Sequence, residues 1–550
     1  MEDVIKRSGN TFGTNEAFIL TQLSVAAVPT AAIIFLDIIT NQVPQVCIKD
    51  DDGNCDLYPG MSSDVCANDS STWDYMNPES SIISNFDLLC YPTWWLTLTS
   101  FVFYLGMILG CVFAGLLSDY IGRKPALMIL LFLEDLSLGL LLIAESYQVW
   151  LIFRFFTGLF IGYFVVSKVL IVEGLKIQYR HSFLAAIWCC FALGFLFLAL
   201  LAYVFTKYID MIACIVLLVA FLWGIYLFGI EESLRWLLVK RKEEQASYLL
   251  GKISYRNKVD LPSYNEIRKP QDDDFNMSDL FRLNESRYLM TILVILSIVS
   301  FYILVTYTID VGNTIFQITS VPVNLLVVGV AHLVGVLLAA VSCYFWGRRA
   351  TVSSLHIIIL GLLVIICALS MYVVVTMVSS IGVRCLSAGL VYFYSLYSLE
   401  VFATPLRAKA MGIITSGSAV GGLLASFLDF FNMDQDVDLS FQIVTIVAVF
   451  VVTIGTFSLR ETKGAPLPER IETMPQILPY EQWCQCTADN PENHPLLTSP
   501  QFTHIHVNNA LTSDGRTIRN MDTQSWMGQN WLESLSSTTP SGSSGRRRSI

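Results

Sequence analysis

Two stretches decide the fold: Gly115-Leu116-Leu117-Ser118-Asp119-Tyr120-Ile121-Gly122-Arg123-Lys124-Pro125 and Tyr344-Phe345-Trp346-Gly347-Arg348-Arg349. Each puts a Gly-Arg pair at the end of a long apolar run. Counting forward from Gly122, Arg154, Glu173, Arg180 and Glu232 follow at steps of 32, 19, 7 and 52 residues. From Gly347, Arg384, Glu400, Arg407 and Glu461 follow at 37, 16, 7 and 54. Four landmarks in the same order at similar spacing read as a duplicated unit.

The sequence around these landmarks is apolar. Of 550 residues, 54% are hydrophobic and 14% charged, against about a quarter charged in soluble proteins. That argues against a soluble globular fold, and a net charge of −11 argues against a nucleic-acid binder. A span needs roughly 20 apolar residues. Runs of that kind lie at 17–40, 94–117, 126–145, 149–172, 183–205, 209–230, 287–309, 321–345, 352–374, 377–399, 411–431 and 441–459. The first is too long for a secretory signal and lacks a clear cleavage site, so it is expected to remain as span 1.

The expected fold class is an all-α membrane protein: twelve transmembrane helices in two six-helix pseudo-repeat bundles. The expected organisation is an N-terminal segment (1–16), a first bundle (17–230) with a long loop at 41–93, a linker (231–286), a second bundle (287–460) and a tail (461–550). Duplicated six-span units are how many transporters build two bundles around a central site.

Lys and Arg in the loops set orientation. With the N-terminus inside, cytosolic segments hold 29 of them and outer loops hold only Lys49 and Lys207. Both termini are expected in the cytosol, with the plasma membrane as the location. The 41–93 loop is then extracellular. It holds nine acidic residues and four cysteines, Cys47, Cys55, Cys66 and Cys90, which suggests two disulfides with three possible pairings. Asn68 opens a glycosylation sequon there; the sequons at Asn276 and Asn284 fall on the cytosolic side and are expected to stay unused. The tail is rich in polar residues and reads as largely disordered, with a possible kinase site at Ser549.

The Gly-Arg loops invite a mechanical reading. Arg123, Lys124 and Arg348 sit where they can pair with acids at the inner ends of neighbouring spans. Glu173 with Arg180, and Glu400 with Arg407, are expected to supply such pairs. Asp119, Gly122, Glu232, Arg235 and Glu461 complete the expected cytosolic latch.

These motifs resemble the major facilitator superfamily, and more narrowly its organic cation, anion and zwitterion transporter family (solute carrier 22). The resemblance covers about 1–470. It rests on the four-Cys loop, the Gly-Leu-Leu-Ser-Asp…Gly-Arg-Lys-Pro signature, and Arg154 with Gly158. It rests further on Glu232-Ser233-Leu234-Arg235-Trp236-Leu237, Glu400-Val401-Phe402-Ala403-Thr404 and Glu461-Thr462-Lys463-Gly464. The chain departs from it at Glu231 and Leu234, where the family has prolines, and at Tyr344, where the first repeat has Asp119. It departs most at Ala419, where the family often carries a charge linked to substrate sign.

A charge at mid-bilayer costs roughly 2.5–3.5 kcal/mol on the mild insertion scale, so each needs a reason. Arg384, Asp37 and Asp429 are candidate substrate contacts. Arg154 and Lys168 are expected to be structural, Lys168 by snorkelling to the surface; Glu134 and Asp135 lie on a peripheral span, and His332 is expected in the core. Tyr302, Tyr392, Tyr394 and Tyr397 are candidates for holding a bulky cation by cation–π attraction.

Together these features imply a secondary transporter of small organic ions, leaning to cations or zwitterions. Alternatives are an organic anion transporter, a sugar transporter of the same superfamily, and a receptor-like protein that does not transport. No P-loop pattern, metal cluster or nucleophile motif points to an ATP-driven pump or an enzyme. The expected partners are the substrate and the bilayer, with no cofactor, metal or nucleic acid.

Overall fold

The computed structural model describes residues 14–42, 44–49, 55–59, 73–92, 94–175, 179–257, 284–316, 320–431, 435–465 and 467–468. Among them, ten helical stretches are long and apolar enough to cross a membrane: Thr21–Thr40, Trp94–Ile121, Tyr147–Gly174, Arg180–Val204, Tyr208–Tyr226, Arg287–Ile309, Val321–Trp346, Arg348–Ala368, Val373–Val401 and Thr404–Leu428. Two further helices fill the places of the third and twelfth spans. Arg123–Leu141 carries four charged residues in its 19, and Gln435–Thr456 has a shorter apolar part, Gln442–Thr456. Spans 9, 11 and 12 start earlier than hydropathy alone places them, because their charged first turns are as helical as the apolar runs that follow.

Span 1 is broken for a local reason. Pro29 has no N–H for the Val25 carbonyl, and its ring crowds that carbonyl. The helix Thr14–Val25 stops there and Ala27–Ile34 begins after it. A turn at Phe35 and Leu36 then leads into the short helix Asp37–Thr40. Span 4 is likewise two helices, Tyr147–Phe160 and Tyr163–Gly174.

Small residues set the close crossings, as expected where lipid gives helices no hydrophobic reason to associate. Within the first bundle, a Cβ on Gly158 of span 4 would run into the Phe103 carbonyl of span 2. In the second, a Cβ on Gly389 of span 10 would meet Ala339 of span 8 at 2.9 Å. The bundles meet along two seams related by the repeat: span 2 against span 11, and span 8 against span 5. In the first seam, a Cβ on Gly115 would sit 2.7 Å from the Ala408 carbonyl, and one on Gly412 would sit 2.5 Å from the Cys111 carbonyl.

Two features outside the spans carry no hydrophobic-run signal. The 41–93 loop forms an antiparallel sheet of β1 (Gln45–Lys49), β2 (Cys55–Pro59) and β3 (Trp73–Tyr75), in the order β2-β1-β3. Cys47 and Cys90 each carry a disulfide; Cys66 and Asn68 lie outside the described residues. In the linker, Leu234–Val239 and Glu243–Asn257 are helices that bury Trp236, Leu237, Ala246 and Leu249 in a small core of their own. Glu231, which replaces a family proline, forms an ion pair with Lys252 of the second of these helices.

Candidate functional site

The duplicated motifs fold into duplicated geometry. In the first bundle, Arg123 is fully buried and forks onto Glu173 of span 4, with Nε–Oε2 and Nη2–Oε1 both at 3.3 Å. Ser233 donates its hydroxyl to the same carboxylate at 2.5 Å. Glu232 accepts the backbone N–H of Arg123 at 2.9 Å and of Lys124 at 3.3 Å, which caps the start of span 3. In the second bundle, Arg348 forks onto Glu400 at 3.4 and 3.1 Å, and Thr462 donates to Glu400 at 2.6 Å. Glu461 accepts from the backbone of Arg348 at 2.9 Å and of Arg349 at 3.1 Å. Burial pushes the Glu232 carboxyl above its ordinary value.

Gly122 and Gly347 make both capping contacts possible. Their φ values are +119° and +89°, and a Cβ on either would stand 2.5 Å from the carboxylate of Glu232 or Glu461. Only glycine fits both demands.

The pairing differs from the expected one in a way that joins the bundles. Arg407 does not stay with Glu400. Its Nη1 reaches Glu173 of the other bundle at 3.3 Å, while its Nε holds the Leu399 carbonyl at 3.1 Å. Arg235 donates to the backbone carbonyl of Glu173 at 3.2 Å. Arg180 is buried in the same bundle. Asp119 pairs with Arg123 at 2.8 Å. Its counterpart Tyr344 instead stacks on His181 across the second seam, with ring centroids 5.7 Å apart. Tyr392 donates to the His181 carbonyl at 3.3 Å.

Away from this end, the bundles part around a cavity of about 350 Å³ lined by Ile34, Asp37, Ser100, Tyr104, Thr308 and Asn324, among others. A smaller cavity of about 40 Å³ adjoins it; Ile34 lines both. Lys168, Trp188, Phe191, Tyr394 and Thr415 line the smaller one. Tyr104 of the larger cavity packs edge-on against Phe301 of the smaller, 6.4 Å between centroids.

The three basic residues inside the membrane, Arg154, Lys168 and Arg384, are buried and none snorkels, whereas Asp37 and Asp135 are half-buried. Arg154 pairs with Asp37 at 3.2 Å and lies over the Phe103 ring at 4.2 Å; Asp37 also accepts from Ser100 at 2.7 Å. Arg384 donates to Thr308 at 2.6 Å and to Nδ1 of His332 at 3.2 Å. Among the described residues it has no carboxylate partner. Lys168 is 2% exposed and lies over the rings of Phe164 and Trp188. Glu134 is fully buried and, among the described residues, neither of its oxygens has a hydrogen-bond partner.

Of the four candidate tyrosines, Tyr394 lines the smaller cavity, with its hydroxyl on Nε2 of His356 at 3.2 Å. Tyr302 binds Thr445 at 3.1 Å and Tyr397 the Arg460 carbonyl at 3.1 Å. Asp429 is on the span 11 helix, but its side chain is outside what is described. Sequence reasoning missed the Ser233–Glu173 and Thr462–Glu400 contacts. The signal was present: a hydroxyl residue follows the repeated glutamate in both halves, Ser233 after Glu232 and Thr462 after Glu461.

The family described as "Sugar (and other) transporter" matches residues 55–474. Solute carrier family 22 member 3 of Mus musculus is 27% identical over 439 residues, 77% of each chain. The organic cation transporter protein of Drosophila melanogaster is 26% identical and covers 75% of this chain and 77% of its own length. The organic cation/carnitine transporter 2 of Rattus norvegicus is 24% identical, with 78% and 79% covered. Among solved structures, the proton:xylose symporter XylE bound to 6-bromo-6-deoxy-D-glucose superposes with a TM-score of 0.59 at 17% identity, over 83% of this chain and 98% of XylE. The human organic anion transporter MFSD10 gives a TM-score of 0.56 at 13% identity, over 80% and 99%.

Proposed function

The chain belongs to the sugar (and other) transporter family, with the major facilitator fold, and from that premise we propose that it moves small organic ions across the membrane by alternating access. One observation carries this reading. The Glu173–Arg407 pair ties the bundles at one end while a cavity of about 350 Å³ lies between them toward the other. A transporter caught open to one side has this shape, and rocking the bundles about the seams would reverse it.

The loop charges support placing the tied end, and both termini, in the cytosol. The cavity then opens outward, at a plasma membrane. Glu173, Glu400, Arg123, Arg348 and Arg407 act as the latch, and Glu232 and Glu461 hold the Gly-Arg turns in place. The relatives named for organic cations favour a substrate with a cationic group. Asp37 and Tyr104 at the cavity wall suit such a group. A membrane potential of 100 mV is worth about 2.3 kcal/mol per charge, enough to drive such a substrate inward without ATP.

Uptake of labelled tetraethylammonium, carnitine and benzoate into expressing cells, at two membrane potentials, tests the reading. Saturable uptake of at least one, with cation entry falling on depolarisation, is expected. No uptake of any from protein labelled at the surface would overturn it.

A further inference from the structure

We infer that Lys168 receives the carboxylate of the transported substrate, so that the substrate carries an acid group whatever else it carries. The inference rests on the transporter reading above and adds a chemical class to it.

Lys168 sits where two segments of chain chemistry converge. It projects from span 4 into the 40 Å³ cavity between the bundles. Across that cavity, span 11 presents Thr415 and Ser418. Ser418 is the residue before Ala419, the position at which the charge marker is missing. A cation is therefore present in the central site, delivered from the opposite bundle.

The ammonium has no oxygen partner among the described residues. Its contacts are the faces of Phe164, 4.5 Å from the centroid, and Trp188, 5.6 Å. Cation–π attraction offsets only part of the cost of burying a charge. Ser297, Ser300, Thr415 and Ser418 donate their protons to backbone carbonyls at 2.8–3.5 Å. The indole Nε1 of Trp188 is a second buried donor without a partner among the described residues. Two donors of residues that line this cavity, the Lys168 ammonium and the Trp188 indole N–H, thus lack an acceptor among the described residues. A ligand that completes it must bring acceptors and negative charge, and a carboxylate brings both.

The volumes fit a substrate held at two points. The small cavity takes the acid group alone, and the larger cavity on the far side of Ile34 takes the remainder, beside Asp37.

The test is uptake by wild type, K168Q and K168R of three labelled probes: carnitine (acid and cation), benzoate (acid only) and tetraethylammonium (cation only). Each is normalised to surface protein measured by biotinylation. The expected result is wild-type uptake of carnitine or benzoate that falls at least ten-fold in K168Q and is largely restored in K168R. Carnitine uptake without benzoate uptake assigns a zwitterion; uptake of both assigns the acid group alone as the requirement. Unchanged acid uptake in K168Q overturns the inference, as does wild-type uptake of tetraethylammonium alone, which leaves the transporter reading standing. Absence of all three uptakes removes that reading and this inference together. Should K168Q fail to reach the surface, acid uptake by W188F decides on the same terms, with no fall counting against the inference.

Discussion

Glu173 and Arg407 lie 234 residues apart in the chain and 3.3 Å apart in the fold, both fully buried. The carboxylate serves two bundles at once, because Arg123 of its own bundle shares it. Taking one partner from a buried pair costs about 3–5 kcal/mol, since it strands the other charge. E173Q is expected to loosen the tied end by ten-fold or more in population. A cysteine in place of Ser118, which is fully buried there, reports it. Its labelling by a maleimide should rise at least ten-fold in E173Q. Labelling at the wild-type rate would show that the pair does not hold that end.

Asp37 and Arg154 form a neutral pair at the wall of the larger cavity. D37N leaves the Arg154 guanidinium buried with one backbone acceptor, Ile33 O at 3.0 Å. A loss of about 3–5 kcal/mol in stability is expected, seen as a lower melting temperature in detergent. D37N/R154M removes both charges and should recover at least half of that loss. A double variant as unstable as D37N alone would mean that packing, and not the stranded charge, sets the cost.

Gly122 and Gly347 should tolerate no side chain. G122A adds the penalty of a positive φ, roughly 1 kcal/mol, to a collision with Glu232. G347A does the same against Glu461. Surface expression of each is expected to fall at least three-fold relative to G139A, where an added Cβ meets nothing within 4 Å. Equal expression of all three would contradict the capping geometry.

Glu232 gives a pH signature outside the membrane. Burial raises its carboxyl above the ordinary value, so the folded protein binds its proton more readily than the unfolded chain does. By linkage, its contribution to stability falls as pH rises from the ordinary carboxylate value through the raised one. Melting temperatures of wild type and E232Q, compared from pH 4 to 7, should diverge in wild type's disfavour as pH rises through that window. Parallel curves would show that Glu232 titrates as an exposed group.

Much of this was legible in the sequence, and the failures have physical causes. Apolar runs placed all twelve helices, and the repeat placed Arg123, Glu173, Arg348 and Glu400 at matching positions. The partner of Arg407 was not legible. Spacing within a repeat pairs Arg407 with Glu400, seven residues away, whereas the close crossing of Gly115 and Gly412 brings it to the other bundle. Lys168 was misplaced for a similar reason. A lysine near a span end snorkels when its helix faces lipid, but span 4 here faces span 11. Hydropathy does not say which face a helix turns to its neighbour. The strands of the 41–93 loop and the two linker helices were invisible to a search for long apolar runs.

Solute counterflow tests the central claim most directly. Purified protein is reconstituted in vesicles, preloaded with unlabelled carnitine or tetraethylammonium, and given the labelled form outside. Alternating access predicts that label transiently accumulates inside above its external concentration, because one carrier exchanges both pools, and that R407A lowers this overshoot several-fold. Label that only equilibrates, or never enters, in vesicles holding correctly folded protein would contradict a carrier that exposes one site to each side in turn.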